Sequence, residues 1–301
     1  MHQCAHHHAG DDYGRAFAIG VGLNLAFVVV EATYGWAAGS LALLADAGHN
    51  LSDVLGLLMA WGGFALAKVA PCDRRTYGWR GTTILAALFN GLLLLVAIGG
   101  IAWEAIGRLN DPPEVAAPTV IVVALIGVII NTATAMLFMR GRDKDLNIRG
   151  AYLHMAADAL LSLGVVIAGI LIAWTSMNWI DPVTSLVISA VILIGTWGLL
   201  RESIHLAIQA VPPGIELDEV NRFLGGLPGV TEVHDLHVWA MSTTEFALTA
   251  HLVRPEESNN DGLLKQVGED LHDLFEITHT TIQIERSVDD ANCSQAQEGT
   301  L

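Results

Sequence analysis

The sequence predicts an α-helical membrane protein: a bundle of six transmembrane helices followed by a small cytoplasmic α+β domain. Three observations carry that reading. Only 15% of the 301 residues are charged and 52% are hydrophobic, with a mean hydropathy of +0.48, whereas a soluble domain carries about 25% charged residues. The charge is also lopsided: residues 202–301 hold 18 Asp and Glu against 4 Lys and Arg, a net of −14 out of the −16 of the chain. Finally, the apolar residues of the first two-thirds fall into six runs, each long enough to cross a bilayer, which takes roughly 20 residues of helix.

The six runs are 16–36, 41–67, 82–107, 115–139, 151–174 and 180–200. Ahead of them, residues 1–14 form a polar, histidine-rich tail without the basic segment and cleavage site of a secretory signal, so the first run is expected to remain as a span. Gly39 and Ser40 mark a link so short that the first two helices must be antiparallel neighbours. Asp111-Pro112-Pro113 and Asn178-Trp179 mark two further tight connections. Lys68, Arg74, Arg75 and Arg80 lie between the second and third runs, and Arg140, Arg142, Lys144 and Arg149 between the fourth and fifth. Arg15 and Arg201 flank the first and last runs, and the other three loops hold only Arg108. Cytoplasmic loops collect Lys and Arg, so both termini are expected in the cytoplasm. An even number of spans agrees.

Beyond Pro212-Pro213-Gly214 the period changes. Residues 215–227 read as a helix, with Glu216 or Asp218 near its start. Residues 230–240 and 245–253 alternate as strands, joined by a link short enough for a hairpin. Residues 262–275 are helical again and 280–285 form a third strand. This αββαβ order gives one sheet with both helices packed on a face, ferredoxin- or metallochaperone-like. The expected domains are thus a tail (1–14), a membrane bundle (15–205), a cytoplasmic domain (206–287) and a disordered end (288–301). Cys4, Cys72 and Cys293 are scattered and odd in number, which implies no disulfide framework and fits a reducing cytoplasm.

Ionisable groups inside the runs are the informative exceptions, because a charge at the bilayer centre costs a few kcal/mol and is retained chiefly where it has a function. The second run carries Asp46, His49 and Asp53, and the fifth carries His154 and Asp158. His49/Asp53 and His154/Asp158 share the spacing i, i+4, which puts both side chains of each pair on one helix face. Two such faces turned together offer two imidazole nitrogens and two carboxylate oxygens, a closed tetrahedral set for zinc. One HxxxD on a helix is a weak signal; the same pair on two separate spans is a strong one. Asp46, one turn before His49, is expected to stand behind a ligand or at the entrance. Glu31, Asn24, Asn90 and Asn131 are expected to hydrogen-bond between helices.

The run SLALLADAGHNLSDVLGL, the paired HxxxD motifs, YGWRG after the second run, and GVTEVHDLHVW followed by HTTIQIE resemble the cation diffusion facilitator family, in its zinc-exporting branch. The resemblance covers about residues 15–286. It implies a homodimer in a bacterial cytoplasmic membrane that exchanges cytoplasmic Zn2+ for protons by alternating access. It also implies that His49, Asp53, His154 and Asp158 are the transport site. No G-x-x-x-x-G-K-[ST] loop is present, so no ATP is expected, and no nucleic-acid partner is expected either. The readings from other classes are a membrane-embedded zinc-dependent enzyme and a passive metal channel or sensor. Four ligands that close the shell leave no place for a catalytic water, and no HExxH is present.

A second metal site is expected in the cytoplasmic domain. Hairpin pairing sets His234 and His251 at facing strand ends, and the third strand can bring Glu285 beside them. Three ligands leave a fourth place vacant. The resemblance implies that these three positions bind zinc and that in some members a His/Cys pair from the neighbouring subunit's N-terminal tail completes the set; this tail carries His2, Cys4 and His6, with Cys4 expected to reach the vacant place. His237, His272 and His279 read as structural or surface residues, with His279 the best substitute ligand. Arg80 and Glu202, both near the cytoplasmic boundary, are expected to form a charge contact.

Overall fold

The structure is a computed structural model and describes residues 10–67, 69–139, 146–255 and 260–287. Among the described residues, six long helices come first: α1 (Gly10–Ala38), α2 (Leu41–Ala67), α3 (Thr82–Arg108), α4 (Ala117–Phe138), α5 (Leu146–Thr175) and α6 (Ile180–Ala207). Each falls on one of the apolar runs. α1 and α5 begin earlier than their runs and α6 ends later, because a helix continues into polar flanks that hydropathy does not count. Five of these helices are long and apolar enough to cross a membrane. The remaining one, α2, is 27 residues long like α3 and carries Asp46, His49 and Asp53.

The chain divides into two compact units, and the first comprises residues 10–58 and 90–197 among those described. Its core is aliphatic, with Phe27, Leu43, Leu94, Val120, Val165 and Ile188 buried together. α4 packs most extensively on α5 and also on α1. Glycine makes these approaches possible: a Cβ at Gly127 would lie 2.7 Å from the Phe27 ring, and one at Gly169 would lie 2.8 Å from Ile121. Small residues at helix contacts are the usual means of close packing where lipid supplies no hydrophobic drive.

The link between α1 and α2 is built from named bonds. Gly39 takes φ +69°, its N–H donates to Trp36 O and the Ser40 N–H donates to Gly35 O, the pair of bonds that ends a helix on a left-handed glycine. Ser40 then caps α2, its Oγ accepting from the Leu43 N–H at 3.2 Å. Asp181, at the start of α6 and 1% exposed, accepts from the Leu41 N–H at 2.7 Å, the Ala42 N–H at 3.4 Å and the Ser40 hydroxyl. A carboxylate at a helix N-terminus satisfies orphan donors and complements the helix dipole. The helix that carries His49 and Asp53 is therefore fixed at its first turn.

The second unit, described over 59–67, 69–89, 198–255 and 260–287, contains the small domain. Its elements are α7 (Leu217–Gly225), β1 (Glu232–Ala240), β2 (Phe246–Val253), α8 (Asn260–Phe275) and β3 (Ile277–Glu285). The order αββαβ is as the sequence predicts. β1 and β2 form an antiparallel hairpin, and β2 pairs in parallel with β3 after the crossover through α8. Val220 and Leu224 of α7 and Val267 and Leu271 of α8 share one core with Leu236, Val238, Leu248, Ala250 and Leu252 of the sheet.

Replacing Asp181 by Ala leaves two backbone N–H groups and a hydroxyl buried without an acceptor. The expected cost is on the order of 2 kcal/mol, seen as a lower melting temperature of the detergent-solubilised protein. Asp181→Asn should lose less. An unchanged melting temperature for Asp181→Ala would show that α2 does not depend on this cap.

Candidate metal centres

The faces of α2 and α5 that carry the HxxxD pairs meet inside the first unit. His49 Nε2 lies 3.2 Å from Asp158 Oδ1 and 3.6 Å from Asp53 Oδ2. His154 Nε2 lies 3.4 Å from Asp53 Oδ2 and 3.8 Å from Asp158 Oδ2. The two rings stand edge to face with centroids 6.1 Å apart. Ligand atoms of His49, Asp53 and Asp158 lie within 4.8 Å of one another, and His154 joins them only through its contacts to the two carboxylates, each of which lies between two imidazoles. Asp158 is 1% exposed and His154, the most open member, 44%.

The donor set fits a divalent cation on its own chemistry. Asp53 Oδ2, Asp158 Oδ2 and His49 Nδ1 are buried and make no hydrogen bond. Buried carboxylate oxygens without donors are costly unless a cation takes the place of the donor. Two neutral imidazoles and two carboxylates match the nitrogen and oxygen preferences of zinc and contain no thiolate.

The other polar groups of the bundle surround this quartet. Ser162 of α5 donates to Asp46 Oδ2 at 2.7 Å, and Asn50 of α2 donates to Glu31 Oε2 of α1 at 3.1 Å. Ser52 donates to Asn90 Oδ1 at 3.4 Å, and the Asn24 amide contacts the Met155 sulfur at 3.7 Å. These are the helix-to-helix bonds expected of such groups. Asn131 differs, with both polar side-chain atoms buried and without a hydrogen bond.

In the second unit, His234 and His251 are direct partners across the hairpin. Their rings lie 5.1 Å apart at 60°. Glu285, at the end of β3, places Oε1 2.9 Å from His251 Nδ1 and Oε2 3.5 Å from His234 Nε2. Both nitrogens of His234 and Oε2 of Glu285 are buried without a hydrogen bond. The three residues therefore offer ligand atoms within 4.8 Å of one another. His2, Cys4 and His6, the residues expected to complete this set, lie outside the described residues.

Three features depart from the sequence reading. The register of the hairpin shifts between His234 and His237, and Asp235 takes φ +50°. This bulge turns the Asp235 carboxylate toward His237 Nε2, at 3.0 Å, and His251 Nε2, at 3.7 Å. Strict alternation along HDLHVW gives no sign of it. Arg80 pairs with Glu245, at 3.3 Å, rather than with Glu202, which is exposed on α6. The turn between β1 and β2 reaches the start of α3, where the Thr243 N–H also donates to Thr83 Oγ1 at 3.1 Å, so the nearer carboxylate takes the guanidinium. His279 is no substitute for a ligand. It stands six residues from Glu285 along β3, about 20 Å at strand rise, with its ring edge on Tyr77.

Comparison with known proteins accounts for both halves of the chain. A family described as the cation efflux transmembrane domain matches residues 17–206, and the cation efflux protein cytoplasmic domain matches residues 212–287. The chain belongs to the cation efflux family. It is a metal cation efflux transporter and not an enzyme. It is 36% identical over 293 residues to the cation efflux system protein CzcD of Alcaligenes sp. (strain CT14), spanning 97% of this chain and 91% of the relative. It is 36% identical over 264 residues to the cadmium, cobalt and zinc/H(+)-K(+) antiporter of Bacillus subtilis, spanning 86% and 85%. It is 35% identical over 277 residues to the zinc transporter ZitB of Shigella flexneri, spanning 91% and 88%.

For this cation efflux chain the cytoplasmic trio yields its own test. Replacing His234 and His251 together by Ala in the full-length protein should lower zinc bound at equilibrium by about one ion per chain. Undiminished zinc binding would show that the trio is only a hydrogen-bonded strand end.

Proposed function

We propose that the chain exports Zn2+ from the cytoplasm in exchange for protons by alternating access, with His49, Asp53, His154 and Asp158 as the transport site. The observation that carries this reading is the convergence of two i, i+4 His/Asp pairs between α2 and α5, with carboxylate oxygens left without donors. Zinc binds only deprotonated imidazole and carboxylate, so its binding expels protons and proton binding expels it. Histidine changes charge near physiological pH, which makes the exchange reversible under cellular conditions. The antiporter name of the Bacillus subtilis relative and the zinc transporter name of ZitB support this direction. Cadmium and cobalt, named for the Bacillus subtilis relative, are candidate secondary substrates. ATP has no role in this cycle.

The protein works as a homodimer in a bacterial cytoplasmic membrane, both termini facing the cytoplasm. The Lys/Arg distribution supports the orientation, and the match to the cytoplasmic domain of this family supports the dimer. His234, His251 and Glu285 hold a second Zn2+ there, with a regulatory rather than a transported role. The tail residues His2, Cys4 and His6 offer the remaining donors to the partner subunit.

Asp53→Ala and Asp158→Ala should each abolish zinc efflux from loaded vesicles while leaving folded protein in the membrane, because one lost carboxylate leaves a buried dication poorly compensated. His49→Asp should keep the site occupied but harden its donors and broaden the metals carried. Efflux that survives either alanine substitution would remove the transport-site reading. An unchanged metal profile in His49→Asp would remove the selectivity reading.

A further inference from the structure

Two buried carboxyls lie outside the quartet. Glu31 of α1 and Asp46 of α2 are both 0% exposed, and Glu31 bonds to Asn50, which stands one turn after Asp46 on the same face of α2. One oxygen of each is served by a neighbour, Glu31 Oε2 by the Asn50 amide and Asp46 Oδ2 by the Ser162 hydroxyl. The other oxygen of each, Glu31 Oε1 and Asp46 Oδ1, is buried with no donor. An ionised carboxylate only accepts, and two of them held near one helix face away from water repel each other. A single proton on the pair supplies a donor where neither carboxylate has one and removes one of the two charges.

The placement of the pair gives that proton a use. Asp46 stands three residues before His49 on α2, and Ser162 stands four residues after Asp158 on α5. Both steps lead from the quartet toward the turn at Gly39 and Ser40, the outer side in the proposed orientation. The titratable groups placed around Asp46 by the packed helices are Glu31 of α1, bonded one turn away at Asn50, His49 on its own helix, and Asp158, one turn before Ser162 on α5. α4, which packs on α1, presents the buried but non-titrating Asn131 and Thr134.

We propose that Glu31 and Asp46 form a proton-holding site one helical turn outward of the transport quartet, and that its proton is exchanged against the metal in addition to those on the histidines. With the quartet free of metal, the pair holds one proton and carries one negative charge. A dication entering the quartet favours the fully ionised pair, and the proton leaves to water. When the metal departs, water on the outer side returns a proton to the pair. The inference rests on the reading of His49, Asp53, His154 and Asp158 as the transport site.

The test uses the purified full-length protein carrying His234→Ala and His251→Ala, which removes the cytoplasmic site, with zinc chloride as probe, following proton release in weak buffer and zinc affinity between about pH 6 and 8. Glu31→Gln and Asp46→Asn each supply the missing donor as an amide and fix the remaining carboxylate as ionised. Each variant should still bind zinc, should release about one proton fewer per zinc, and should lower the slope of log affinity against pH by about one. Infrared difference spectra of the wild-type protein, which need no variant, should show a protonated-carboxyl carbonyl band lost on adding zinc. An unchanged slope in both variants, or no such band, overturns the proposal. So does a zinc affinity that shifts with K+ at constant pH in the wild type but not in Glu31→Gln, because the pair would then hold a monovalent metal ion. Zinc-linked proton release that persists in a combined Asp53→Ala, Asp158→Ala variant would instead remove the transport-site reading.

Discussion

A carboxylate buried between transmembrane helices has few ways to remain ionised. It stays so only with a cation or several donors beside it, and otherwise takes a proton, because isolated charge in a low-dielectric interior is strongly disfavoured. α2 and α5 bring Asp53 and Asp158 together with only imidazoles between them. The attraction of those two carboxylates for positive charge is what the rest of the bundle has to manage. Asp181 holds the first turn of α2 in place, Gly127 and Gly169 let α4 approach α1 and α5, and Ser162 ties Asp46 to α5. Together these contacts fix the helices whose spacing sets the width of the site.

The same physics separates the two centres. The intramembrane quartet combines nitrogen and oxygen donors that all bind protons as well as metal, so occupation by one cation works against occupation by the other. A site of that kind suits turnover. The His234, His251 and Glu285 trio sits on the ends of hydrogen-bonded strands, where the pairing of His234 with His251 sets the ring separation before any ligand arrives. A site so preorganised suits retention.

The features legible in the sequence are those with a local period. Six apolar runs located the six long helices, and alternation located the three strands. The i, i+4 spacing alone put His49 with Asp53 and His154 with Asp158. Hairpin logic paired His234 with His251, because a short turn fixes register. What stayed hidden depends on contacts distant in sequence or on broken periodicity. The bulge at Asp235 interrupts an alternation that HDLHVW appears to keep, and Arg80 found Glu245 because a hairpin turn reaches α3. The bond of Glu31 to Asn50, one turn from Asp46, depends on the relative rotation of α1 and α2, which no spacing within either helix specifies.

The most direct measurement of the central claim is zinc K-edge X-ray absorption on full-length protein carrying His234→Ala and His251→Ala, so that the intramembrane site dominates the signal. The account predicts four nitrogen and oxygen ligands at about 2.0–2.2 Å, imidazole scattering from two histidines and no sulfur. A sulfur shell at about 2.3 Å, a single imidazole, or zinc that does not stay bound would contradict it.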